Sequence, residues 1–245
     1  MKRVGFVFAI AALAICASWL SMGMAAGLDD LMKGAKMPEI PSGSGPDNKT
    51  TISGLKEALE VGTNNAVKSV SKTDGYFANQ AIKILLPENI QRVCDMLGKM
   101  GYQKQVDDFV LSMNRAAEKA APKAVTLFVD AIKSMTFADA NKILHGGDTA
   151  ATKFFEDKTR GKLYTEFKPT VSTTMNQVGV TRSYKEMMGK AESVPFAPKE
   201  SVDLDHYVTN KALDGLFTMV GQEEKKIRTD PAARVTPLLK SVFGK

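Results

Sequence analysis

From Thr50 to Phe243 the apolar residues return at steps of three and four almost without relief, and this period narrows the available folds more than any other feature. Ile52, Leu55, Leu59, Ala66, Val67 and Val70 predict a first helix of about five turns, closed by a turn at Asp74-Gly75. Pro87 opens a second helix through Met100, with Ile90, Val93, Leu97 and Met100 on one side, because proline is tolerated where a helical N–H has no partner. A third runs from Tyr102 to Ala120 and a fourth from Pro122 to Met135. Thr136 with Asp139 forms a capping pair for a fifth helix that ends at His145-Gly146. Asp148 caps Thr149–Phe167, which Pro169 ends. Further helices fit Thr170–Gln177, Thr181–Lys190, Asp203–Ile227 and Pro231–Phe243, with Pro237 kinking the last. The only strand-like segment, Ile82–Leu86, is too short and solitary for a sheet. The expected fold class is all-α: one multi-helix domain over residues 50–245, behind a flexible linker.

The angular spread of apolar residues separates outer helices from inner ones. On the third helix Tyr102, Val106, Phe109, Val110, Met113, Ala117 and Ala120 fall in an arc of roughly 100°, which places that helix on the surface. On Asp203–Ile227 the apolar arc is about 220° wide, which predicts a central helix. Gly215 lies inside that arc, and its poor helix propensity is best offset by close approach of a neighbouring helix.

The N-terminus carries an address. Met1-Lys2-Arg3 is a short basic region, Val4–Leu20 is uncharged, and Gly23-Met24-Ala25 supplies the small residues of a cleavage site, so residues 1–25 are expected to be a signal peptide. An uncleaved anchor over Val4–Ala26 is the alternative, since that stretch is long enough to span a bilayer. Lipidation at Cys16 is disfavoured by the bulky Ile15 before it. Residues 26–49 are a short amphipathic piece, Leu28–Met32, and a Pro/Gly/Ser linker. Loss of Lys2 and Arg3 leaves 31 basic residues against 27 acidic ones, a mature charge of +4 instead of +6. Cys94 is then the sole cysteine, expected to be a buried inert thiol, and no internal disulfide can form. The expected location is the periplasm or another exported compartment, with membrane tethering as the alternative.

Few residues carry the raw material of chemistry. Two cysteines and two histidines do not suffice for the common zinc sites. No Gly-x-Ser-x-Gly elbow or His-Glu-x-x-His occurs, and no catalytic residue, metal or cofactor is expected. The Gly146-Gly147-Asp148-Thr149 turn precedes a helix and suits an anion, yet Asp148 places a carboxylate where the anion would sit; a helix stop followed by a cap is the simpler reading. Asp107, Asn114 and Glu118 share a flank of the third helix, but Asp107 and Glu118 are about 16 Å apart, too far to share a metal, so hydrogen bonding between helices is the better reading. Arg115, nearly opposite the apolar face, reads as solvated. His145 suits a helix C-terminus, and His206 stands near Asp203 and Asp205 without a nucleophile beside it. The methionines read as core filling, with Met96 and Met100 one turn apart. Lys225, Lys226, Arg228 and Arg234 are interleaved with Glu223, Glu224 and Asp230; the absence of stacking aromatics argues against nucleic acid and leaves at most a weak association with an anionic membrane surface. Tyr76 and Phe77, large apolar groups in a turn-rich loop, are either a binding surface or a plug for the helical core.

Several blocks together carry a family likeness. Thr63-Asn64-Asn65-Ala66-Val67, Lys72-Thr73-Asp74-Gly75-Tyr76-Phe77, Asp107–Pro122, Gly146–Thr152, Lys211–Phe217 and Asp230-Pro231-Ala232-Ala233-Arg234 resemble the bacterial domain-of-unknown-function family 4197 over about Leu28 to Gly244. The resemblance implies an exported helical protein and brings no activity and no catalytic residue. Together with the wide apolar helix faces, it leads to the expectation of a non-catalytic cell-envelope protein that binds an envelope protein or an apolar ligand. The candidate binding residues are Tyr76, Phe77, Asn114, Gly147 and Asp148. An enzyme whose site assembles only in three dimensions is the alternative.

Overall fold

The computed structural model describes residues 48–177 and 203–234, with 236, 237 and 240. All lie in the unit Gly45–Lys245. The leader, the linker as far as residue 47, and the expected helix Thr181–Lys190 fall outside the described residues. Seven α-helices and no strand occur among the described residues.

α1 (Asn48–Ser71) buries Leu55, Leu59, Ala66, Val67 and Val70, as its period predicts. It ends where Asp74 takes a left-handed φ of 64°. Gly75 follows because a Cβ there would lie 2.6 Å from the carbonyl oxygens of Ser69 and Val70. The following loop runs into the core and not over the surface, with Tyr76, Ile82 and Ile84 buried.

α2 (Glu88–Leu97) starts directly after Pro87 and buries Ile90, Val93, Cys94 and Leu97. Met100, expected on the same face, is instead 62% exposed. A π-helical turn, Gly98–Tyr102, ends the α-helical register, and Gly101 at φ 94° redirects the chain into α3 (Gln103–Ala120). A 3₁₀ turn, Ala121–Lys123, holds Pro122 and leads to α4 (Ala124–Lys133).

α5 (Phe137–Leu144) carries the expected capping box: the Asp139 N–H donates to Thr136 Oγ1 at 3.1 Å, and the Thr136 N–H donates to the Asp139 carboxylate at 3.1 Å. The Thr136 hydroxyl, which donates to the same carboxylate at 2.7 Å, and then the Thr136 N–H hold the Asp139 carboxyl below its ordinary pKa. α6 (Ala150–Gln177) overturns the expected stop at Pro169 and absorbs the separate helix expected at Thr170–Gln177. Its buried residues Phe155, Thr159, Leu163, Phe167, Val171 and Met175 recur every four positions straight through the proline. Packing of that ridge outweighs the one hydrogen bond Pro169 removes, and Thr165, whose carbonyl loses it, is exposed to water. Each four-residue step turns the ridge by about 40°, so it winds around the helix and meets α3, α4, α5 and α7 in turn.

α7 (Leu204–Thr229), capped by Asp203 through the His206 N–H at 2.9 Å, is the central helix. It packs on α1, α3 and α6. At Gly215 the close neighbour is not the expected helix but the α1–α2 loop: a Cβ there would lie 2.6 Å from the Tyr76 ring and 3.1 Å from Ile82. The helix expected from Pro231 is instead a 3₁₀ turn, Pro231–Ala233, that ends at the non-helical Arg234; most of the expected remainder lies outside the described residues. Phe128 packs against Phe155 and Phe217 at ring separations of 5.1 and 6.1 Å, tying α4, α6 and α7 together. No described helix is long and apolar enough to cross a membrane.

Candidate functional site

The polar stripe on α3 serves the α1–α2 loop. Asn114 is fully buried; its Oδ1 accepts the Ile84 N–H at 2.8 Å and its Nδ2 donates to the Ile84 carbonyl at 2.9 Å. One amide side chain thus pairs an extended residue as a strand neighbour would. Glu118 is buried as well and accepts the N–H groups of Tyr76 and Phe77 at 3.1 and 3.3 Å. Arg115, expected to be solvated, is instead the counter-ion of Glu118 at 2.6 Å and of Asp74 at 2.7 Å. A buried carboxylate needs such partners, since losing one leaves an uncompensated charge. Asp107 stays exposed and takes only a bond from Gln103, so the flank divides into a buried pair and a solvated end.

Tyr76 is fully buried, and its hydroxyl donates to the Ala212 carbonyl at 2.6 Å. Burial first, then Glu118 and Asp214, push its phenol far above the usual tyrosine range. Phe77 is half-buried under the Lys83 ammonium, 4.2 Å from the ring centroid. The structure therefore places Tyr76 and Asn114 in the core of the fold and leaves Phe77 partly accessible.

The second polar group lies where α5 meets α6. Gly146 follows the C-cap residue His145, whose Nδ1 is 3.0 Å from the Asn141 carbonyl; a Cβ on Gly146 would lie 2.6 Å from the Lys142 carbonyl oxygen. Gly147 and Asp148 are exposed. The capping role expected of Asp148 falls to a distant residue. Glu224, on α7, accepts the N–H groups of Ala151 and Thr152 at 2.9 and 2.8 Å and the Thr152 hydroxyl at 2.8 Å. Because Asp148 sits ahead of the first helical turn, the N–H groups of that turn are open to a carboxylate arriving from a neighbouring helix. Arg228 clamps Glu224 at 2.9 Å and also donates to the Ile143 carbonyl at the end of α5. Arg234 in turn caps α7, donating to the carbonyls of Ile227 and Arg228. Two of the four cations of the C-terminal basic group are thus occupied inside the fold.

That clamp fixes the angle between α5 and α6, and between them lies an open cleft of about 390 Å³. Ile143, Ala150 and Phe154 form its apolar floor; Lys142, Lys153 and Lys158 line its rim with Asp139 and Asp157. Sequence reasoning singled out Gly147 and Asp148, which are not among the residues lining this cleft, and missed its walls. The available signal was the spacing of residues 150, 153, 154, 157 and 158, which share one face of a helix.

A third group pairs α6 with α7: the Tyr164 hydroxyl lies 2.8 Å from His206 Nδ1, and Asn210 lies beside the same ring. Roughly 21 Å of α6 separates this pair from the Gly146–Asp148 turn, so Asp148 and His206 do not meet. Cys94 is buried beside Asp95, and burial pushes its thiol up to about 11. Among the described residues no group of three or more His, Cys, Asp or Glu is placed to hold a metal ion.

Neither a curated protein nor a solved structure matches the chain. One family model does, over residues 45–244, which takes in α1 through α7 and the loop they enclose. The chain therefore belongs to the family described as "Protein of unknown function (DUF4197)".

Proposed function

We propose that this protein is a non-catalytic binding or accessory component of the cell envelope, and that the α5–α6 cleft is its binding surface. The observation that supports this reading is the cleft itself: an open volume of about 390 Å³ with an apolar floor and a charged rim, held by the Glu224–Arg228 clamp. Small-molecule sites commonly have volumes of about 300–1,000 Å³ with a few convergent polar groups. The loop around Tyr76 is a weaker candidate, because Tyr76 and Asn114 spend their polar atoms on the fold. Export through a cleaved leader supplies the envelope part of the reading.

The test uses the full chain purified from its native host and examined by native mass spectrometry, as wild type and as Lys142→Glu with Phe154→Ala. A bound species present on wild type and lost from the variant is the expected result. A variant that keeps the species, while retaining its helix content, would exclude the cleft.

A further inference from the structure

Resting on that reading, we propose that the α5–α6 cleft takes a single-chain anionic amphiphile, with its acyl chain on Ile143, Ala150 and Phe154 and its carboxylate at Lys142 and Lys158. The cleft is made by two helix faces. Asp139, Lys142 and Ile143 stand at i, i+3 and i+4 on α5; Ala150, Lys153, Phe154, Asp157 and Lys158 stand at i, i+3, i+4, i+7 and i+8 on α6. The α6 wall is about 12 Å long.

Charge chooses the sign of the ligand. The rim's three lysines outnumber its two acids: Asp157 pairs with Lys153 at 3.3 Å, and Asp139, which keeps its charge, is turned toward the Thr136 N–H and hydroxyl at 3.1 and 2.7 Å. Lys142 and Lys158 form no ion pair among the described residues, and both lie near enough to Asp139 to act on its carboxylate. Their methylene stems extend the apolar wall while their ammonium groups stay at the rim, which suits an anion carried on an apolar body. Size favours a small ligand, because three apolar side chains on a two-turn wall fall by themselves well short of the ~1,000 Å² that a specific protein interface needs.

Calorimetry of the full chain with dodecanoate, and with dodecyltrimethylammonium as the cation of equal chain length, tests this below the micellar range of either probe. Wild type is expected to bind dodecanoate at least tenfold tighter than the cation. Lys142→Glu with Lys158→Glu is expected to abolish or reverse that preference with helix content unchanged. The milder Lys142→Ala with Lys158→Ala is expected to reduce it at least fivefold. Absence of dodecanoate binding, equal binding of the two probes, or a preference that survives charge reversal overturns the proposal. So does binding only to phosphatidylglycerol vesicles, which would assign a membrane surface instead. If dodecanoate fails while cleft variants still lose the species carried from the host, the amphiphile is wrong and the binding role stands; if the variants keep that species too, both readings fall.

Discussion

Glu224→Gln isolates the charge at the α5–α6 junction, because it keeps the side chain's volume and removes half its accepting capacity. The carboxylate now takes the Ala151 and Thr152 N–H groups, the Thr152 hydroxyl and the Arg228 guanidinium, all within 3.0 Å. Oε1 takes the Ala151 N–H and Arg228 while Oε2 takes the N–H and hydroxyl of Thr152, so the NH₂ of an amide opposes either the Thr152 N–H or both the Ala151 N–H and Arg228. Arg228, whose side chain is 14% exposed, would lose the charge of its partner Glu224. An unsatisfied buried donor costs about 1–3 kcal/mol, and breaking a buried ion pair costs about 3–5 kcal/mol. Since part of the bonding survives, the expected loss is about 3 kcal/mol. For a domain of this size that lowers Tm by about 6–12 °C. Urea unfolding followed by far-UV circular dichroism, with the slope unchanged, measures it. Arg228→Leu leaves Glu224 on the helix N-terminus and should cost less. The double variant removes both ends of one pair, so the two losses should fall short of additive by at least about 1 kcal/mol. A loss below about 1 kcal/mol for Glu224→Gln, or strict additivity, would refute the clamp.

Gly215→Ala should destabilise by about 1–3 kcal/mol, although alanine is the better helix former, because the new methyl meets the Tyr76 ring; a raised Tm would contradict this. Tyr76→Ala should lose about 3–5 kcal/mol and Tyr76→Phe about 1 kcal/mol, the latter from the bond to the Ala212 carbonyl; no loss for Tyr76→Phe in urea titrations would show that the hydroxyl contributes nothing. Cys94 ionises at about 11 when folded and near 9.0 when unfolded, so stability should fall as pH rises from 9 to 11, and a thiol reagent at neutral pH should react only after unfolding. Rapid labelling of the native protein would remove the buried thiol. Trp19 is the only tryptophan, so a chain cut after Ala25 should begin at Ala26 and emit as tyrosine alone; indole emission from the purified protein would instead mean a retained leader.

What the sequence made legible was local. The Thr136–Asp139 box and the wide apolar arc of α7 each depend on residues within one helix, and each was found as expected. Pro169 misled because its local penalty is visible in the sequence while the four-residue ridge that overrides it gains energy only against other helices. Met100 misled because a π turn that begins at Gly98 changes the register before it is reached. Arg115 was assigned to solvent by its angle on α3, yet its partner Asp74 comes from a turn that no helical wheel includes. The candidate cleft was half legible: its turn could be read, but its depth depends on Glu224 reaching across from α7, 73 positions from Ala151.

Ile82-Lys83-Ile84-Leu85-Leu86 combines high β-propensity with a single charge and no proline, the composition of a segment that templates fibrils when its backbone is bare. In the folded chain it is not bare: Asn114 occupies both backbone groups of Ile84, and Tyr207 donates to the Leu85 carbonyl at 3.0 Å. Two side chains from separate helices therefore act as gatekeepers for a sticky stretch that neither adjoins in sequence. Colloidal behaviour is thereby tied to Asn114 as closely as folding is, and a chain that lost this amide would present an open strand edge 60% exposed at Leu85 to its neighbours in solution.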